Sequence, residues 1–185
     1  MRERQASRGA RRAREFESFV AGAAGRLLHA ATLLTAEAAD DNPRACRLLT
    51  EALAHTYAHW DRLHGEDPYA YARRRLAGRF DRGSWRPVGV LGRARPAPSG
   101  VLAALSPRER LVLVLRLYEG VAEEQTAALL DLPPERVRVL CDRATAALTH
   151  PRGRTAAVGG PTAAPPRAGT GEAAGARRRA EGRRG

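Results

Sequence analysis

Glu51, His55 and His59 stand four residues apart in the run TEALAHTYAHW. On a helix that spacing stacks three side chains on one face, and two imidazoles beside a carboxylate could hold zinc. A fourth ligand is missing nearby, and histidines on a wet helix face give the same pattern without a metal. No Ser-His-Asp order, glycine-rich phosphate loop or pair of catalytic carboxylates stands out, which argues against an enzyme. The sequence therefore assigns no catalytic residue, no metal, no cofactor and no small-molecule substrate.

The other chemistry on offer is that of arginine. Residues 73–86 hold six Arg and one Asp, interleaved with Phe80 and Trp85 and preceded by Tyr71. Aromatics beside guanidinium groups suit unpaired bases and phosphates. A solvated basic face with its aromatics turned to the core would give the same pattern. A second set, Arg136, Arg138 and Arg143, lies outside the apolar stripe of a helix that follows Pro133 and Pro134. Arginines near the start of such a helix can pair with guanine edges or phosphates in a major groove, or can simply be solvated.

Charge distribution bounds these readings. The 185 residues carry 32 basic side chains, all Arg, and a formal net charge of +12. Residues 1–15 hold six Arg against two Glu and residues 151–185 eight against two, so residues 16–150 keep 18 Arg against 16 acidic residues. Most of the excess thus lies in the two ends, and specific recognition needs local patches between them. No stretch of about twenty apolar residues exists, so no membrane insertion is expected. The basic start lacks the apolar core of a secretory signal. Cys46 and Cys141 match no metal spacing and read as reduced thiols of a cytoplasmic protein.

The elements that must position these arginines are all helical, and no strand alternation is visible. An all-α fold is expected: two small helical domains, residues 15–82 and 101–150, joined by a Gly/Pro-rich linker over 83–100. Residues 1–14 read as a disordered basic arm and 151–185 as a disordered Arg/Ala/Gly/Pro tail. In the first domain Phe16, Phe19, Val20, Leu27, Leu28, Ala31 and Leu34 form one face, and Leu48, Leu49, Leu53, Tyr57 and Trp60 another. Asp67-Pro68 starts a third helix.

In the second domain Ser106, Pro107 and Glu109 make a capping box and first turn. Leu111, Val112, Leu115 and Tyr118 form the apolar face, widened by Val114 and Leu117, up to a stop at Gly120. VAEEQTAALL is a second helix. Asp131 can take a left-handed backbone, and Pro134 opens a third helix that buries Val137, Cys141, Ala144 and Leu148. Helix, tight turn, and helix with Arg near its start is a helix-turn-helix pattern.

The order of these pieces resembles the extracytoplasmic-function class of bacterial RNA polymerase sigma factors over about residues 16–150. The resemblance is carried by LLTEALAHTYAHW, DPYAYARRR with Asp81 following, ALSPRERLVLVLRLYEG, and the last helix with its RA and Leu148. It implies a sigma factor that binds RNA polymerase core and directs recognition of −35 and −10 promoter elements. Helix 45–57, with Arg47, Leu48, Thr50 and Glu51, would bind the clamp of the largest subunit. Leu63, His64, Gly65 and Glu66 would hold a flipped base of the −10 element, and Arg73, Arg74, Arg75 and Arg79 would contact the −10 region. Arg136, Arg138 and Arg143 would read the −35 element. Polymerase core, promoter DNA and an anti-sigma factor are the implied partners.

The chain departs from the family pattern in four places. Arg47 stands where the family has an acid. AEAADDNPRA is about four residues longer than usual. Pro133 replaces a serine cap, forgoing a bond worth about 1 kcal/mol. Val139-Leu140 stands where Ser-Arg is usual, removing one expected DNA contact. Arg47 and the Val139-Leu140 pair motivate an alternative reading, a diverged sigma-like interaction module that holds a partner without recognising a promoter.

Overall fold

The computed structural model describes residues 2–63, 65–84 and 98–150, and among them every regular element is a helix. The chain runs through α1 (Arg2–Thr35), α2 (Pro43–Ala58), a short 3₁₀ turn at Trp60–Arg62 and α3 (Pro68–Ser84). A 3₁₀ turn at Val101–Ala104 then leads into α4 (Pro107–Leu113), α5 (Glu123–Leu130) and α6 (Pro134–Thr149). The linker over 85–97 and the tail over 151–185 lie outside the described residues, as do His64, Trp85 and Arg86.

Helix α1 buries Ala23, Leu27, Ala30, Ala31 and Leu34 at three- and four-residue intervals, against Leu49 and Ala52 of α2 and Ala72, Leu76, Ala77 and Phe80 of α3. It stops at Ala36, whose backbone is left-handed (φ 51°). The long segment before α2 has a structural use. Glu37 accepts the backbone N–H groups of Arg44 (3.2 Å) and Ala45 (2.9 Å), supplying the cap that Asn42 does not give.

The second bundle starts as its sequence predicts. The Ser106 N–H donates to Glu109 (3.0 Å) and the Glu109 N–H to Ser106 Oγ (3.3 Å), closing the capping box. The Ser106 hydroxyl also donates to the Glu109 carboxylate at 2.7 Å, and that bond, with the one from the Ser106 N–H, holds the carboxyl below the usual carboxylate range. After Leu113 the helix widens into a π turn over Val114–Tyr118, with Glu119 N–H donating to the Val114 carbonyl at 2.9 Å. Such turns are rare and add a residue to the coil. The widening changes which residues face inward: Val114 is 3% exposed, but Leu117, expected to extend the apolar face, is 65% exposed. Gly120 (φ 66°) ends the element as expected.

Three expectations are corrected. The arm over 1–14 is not disordered where described: α1 begins at Arg2, because extending a packed helix is cheaper than starting one, and Arg12 anchors to Asp61 at 3.1 Å. The two bundles are also not held apart. One apolar cluster runs from Leu27, Leu34 and Leu76 into Leu111, Leu115, Val121 and Leu130. Finally, α6 buries Val137, Leu140 and Ala144, while Cys141 and Leu148 are only half-buried.

Candidate nucleic-acid interface

Helices α5 and α6 enclose a tight turn. Asp131 takes the left-handed backbone (φ 52°) that ends α5, and Leu132 N–H donates to the Ala127 carbonyl at 3.0 Å. Pro133 precedes α6 with no side-chain cap, and Pro134 sits in its first turn. This positions Arg136 in the first turn of α6, exposed and with no ion pair among the described residues. Arg138 is exposed but leans on Glu123 of α5 (2.9 Å), and Arg143 reaches Glu109 of α4 (3.6 Å). Both arginine side chains are more than 60% exposed, at 65% and 63%. The acids they meet are less open, with the Glu123 side chain 17% and the Glu109 side chain 15% exposed.

The Val139-Leu140 departure divides in two. Leu140 is 7% exposed and belongs to the core, so no groove contact is available at that position. Val139 is 44% exposed and presents an apolar surface beside the arginines.

Helix α3 begins with the predicted cap: Asp67 accepts Tyr69 N–H (3.0 Å) and Ala70 N–H (3.2 Å). In the preceding loop Leu63 is buried, at 8% exposed, and so is not free to line an open base pocket. Gly65 adopts a left-handed backbone (φ 79°), and Glu66 is ion-paired with Arg74. The four predicted arginines of α3 all have partners within the chain. Arg75 donates to the Tyr71 hydroxyl at 3.1 Å and lies 5.2 Å from its ring centroid. Arg79 is ion-paired with Glu51 of α2. Arg73 approaches Glu119 of the second bundle at 3.6 Å. Tyr71 and Phe80 are turned inward, each 8% exposed, so they are core residues and not a stacking platform.

On α2, Arg47, Thr50 and Glu51 are exposed and Leu48 is half-buried. Glu51 thus joins the predicted polymerase-binding residues to the predicted −10 residues through Arg79. His55 and His59 stack as parallel rings, with centroids 4.2 Å apart. The His55 ring also meets the Tyr71 hydroxyl at 3.2 Å, while Glu51 is held by Arg79. The spacing that suggested zinc therefore builds a ring stack. Among the described residues no group of three or more His, Cys, Asp or Glu is placed to hold a metal. Burial, then the neighbouring Arg75 and His59, push the His55 pKa down.

Glu119, Tyr69 and Arg26 form a constellation that the sequence did not single out. The Glu119 side chain, 1% exposed, accepts the Tyr69 hydroxyl at 2.9 and 3.0 Å and faces Arg26 (3.5 Å) and Arg73 (3.6 Å). Burial first, and then Glu119, push the Tyr69 hydroxyl pKa upward. Arg110, also buried, donates to the carbonyls of Leu34 (3.0 Å) and Leu105 (3.2 Å), a second tie between the bundles. Burial, with Arg44 nearby, lowers its pKa. One sequence signal for Glu119 existed: an acid at a helix C-terminus opposes the helix dipole and needs a compensating partner.

Among the described residues no helix is long and apolar enough to cross a membrane. No curated protein and no solved structure matches the chain. Residues 101–150 match the family Sigma-70, region 4. That stretch, which holds α4–α6, is thus similar to a DNA-binding region that sigma-70 transcription factors use in promoter recognition.

Proposed function

We propose that the chain is a sigma factor of the extracytoplasmic-function type. It binds RNA polymerase core in the cytoplasm, brings it to a promoter with −35 and −10 elements, and helps open the −10 region. The observation that carries this reading is the region 4 match over a helix-turn-helix whose second helix presents Arg136 and Arg138 at its exposed start. In this reading α6 enters the major groove at the −35 element, with Arg136 and Arg138 toward base edges and phosphates and Arg143 behind them. Residues 15–82 act as the −10 domain. Gly65 and Glu66, flanked by Leu63 and His64, border the extruded base, and α3 tracks the strand with Arg74, Arg75 and Arg79. Extruding a base costs a few kcal/mol, which contacts in a shaped pocket offset. The exposed side of α2, with Arg47, Leu48, Thr50 and Glu51, meets the polymerase clamp. An anti-sigma factor is a further proposed partner.

The second reading, an interaction module without promoter recognition, draws on the basic Arg47 and on Leu140 being in the core. Transcription reconstituted with core polymerase and a promoter library separates the two. The first reading expects discrete start sites, and expects Arg136→Ala with Arg138→Ala to abolish −35 preference. Each lost base contact should cost about 1–3 kcal/mol of discrimination. No promoter-specific transcript from any library member, with core binding intact, establishes the second reading instead.

A further inference from the structure

The start of α1 projects beyond the packed part of the helix. Residues 4–11 are all exposed, and the first buried residue of α1 is Ala23. Between residues 4 and 14 stand five arginines and no acid. At 3.6 residues per turn, Arg4, Arg8 and Arg11 fall within about 60° of one line along the helix and span about 10 Å. Duplex DNA advances 3.4 Å along its axis per nucleotide of one strand, so an arm laid along that axis spans about three nucleotides.

Two of the three arginines of the stripe, Arg4 and Arg8, are not neutralised within the chain among the described residues. Arg4 and Arg8, and again Arg8 and Arg12, are like charges four residues apart, which destabilises a helix. Gly9 weakens it further. Arg11 is offset by Glu15 at 2.7 Å, and Arg12 is occupied by Asp61 and the Tyr57 ring, 4.4 Å from its centroid. Arg4 and Arg8 have no ion-pair partner among the described residues. The Arg12 anchor roots the stripe beside the Trp60–Arg62 turn, where Arg62 is exposed, immediately before the loop assigned to the −10 element.

We infer that this arm is a phosphate-binding track that grips the backbone of promoter DNA beside the −10 element. The placement rests on the −10 assignment of residues 63–66 proposed above. The occupant follows from charge complementarity: a row of phosphates neutralises Arg4, Arg8 and Arg11 together, removing the repulsion that loosens the helix. The arm should therefore gain helical order when DNA binds.

The test compares the full chain with an R4Q/R8Q variant, which keeps helix-forming side chains and removes two charges. Affinity for a random-sequence duplex of about 30 base pairs is measured against salt; losing two phosphate contacts should lower the slope of log K against log salt by about 2. In the holoenzyme, a photo-crosslinking side chain at Ala10 should attach to DNA next to the −10 element. A slope change below about 0.5, with wild-type DNA binding measurable, overturns the proposal. So does a fall in affinity for polymerase core with the slope unchanged, which makes the arm a protein contact. If wild-type chain directs no promoter-specific transcript while the slope difference persists, the sigma reading and the −10 placement fall and the phosphate contact stands.

Discussion

Helices α3 and α6 both begin at proline and both carry several arginines, yet they hold them in different ways. On α6, Arg136 is unpaired among the described residues, and Arg138 and Arg143 lean on Glu123 and Glu109 while staying mostly exposed. On α3 the arginines are occupied: Arg74 with Glu66, Arg75 with Tyr71, Arg79 with Glu51, and Arg73 with a carboxylate that solvent barely reaches. The number of arginines on a helix thus says little about its readiness for a phosphate. What differs is that Arg136 has no acid beside it among the described residues, whereas Arg73 faces one that is 1% exposed and costly to abandon; the acids beside Arg138, Arg143, Arg74 and Arg79, at 17%, 15%, 37% and 41% exposed, lie between those extremes.

The largest test of this contrast asks whether α3 and α6 belong to one cooperative body. Leu111 is fully buried in the shared cluster, and Leu111→Ala should cost about 2–5 kcal/mol. Denaturant unfolding should remain a single transition when followed by probes in either bundle. Two separated transitions would mean that the bundles are independent and that the tie between them is incidental.

Next in size is Glu119→Gln. It keeps an acceptor for Tyr69 but removes the charge facing Arg26 and Arg73. The cost should be about 1–3 kcal/mol, discounted because Arg26 is half exposed. Freed of its carboxylate, Arg73 should strengthen DNA binding by α3 and steepen the salt dependence. If DNA affinity in this variant stays at the wild-type value, the acid was not restraining α3.

The smallest effect is a pH dependence on α2, where His55 meets Tyr71 of α3. The pKa of His55 is lower folded than unfolded, owing to burial and to Arg75 and His59 nearby. Its contribution to stability is therefore present above the ordinary histidine pKa of about 6.5 and is lost as the pH falls through the window below it. His55→Gln should flatten that part of a stability-versus-pH curve measured by chemical unfolding. An unchanged curve would remove His55 from the account.

Local chemistry was legible in the sequence wherever one or two neighbouring residues fix it. Ser106 with Glu109, Asp67 with Pro68, Asp131 and Pro134 all do what their types and positions predict. The partners of the arginines were not legible, because they lie far along the chain: Arg79 and Glu51 are 28 residues apart, Tyr69 and Glu119 are 50 apart. The positions of Leu117 and Leu140 were misjudged for different reasons. Leu117 follows a widened turn that periodicity at 3.6 does not anticipate. Leu140 sits three residues after Val137, as compatible with the core stripe as Cys141, and the family pattern pointed it outward.

The π turn at Val114–Tyr118 also makes the union of the two bundles a question of counting. Removing any one residue from that stretch would leave every side chain type before and after it in place. It would also swing the downstream residues by about 100° around the helix axis. Glu119 would then no longer meet Tyr69, even where the residue removed was Leu117, which is exposed, uncharged and outside the core. The joint between the halves is written in the length of a segment, where a comparison by residue identity alone would overlook it.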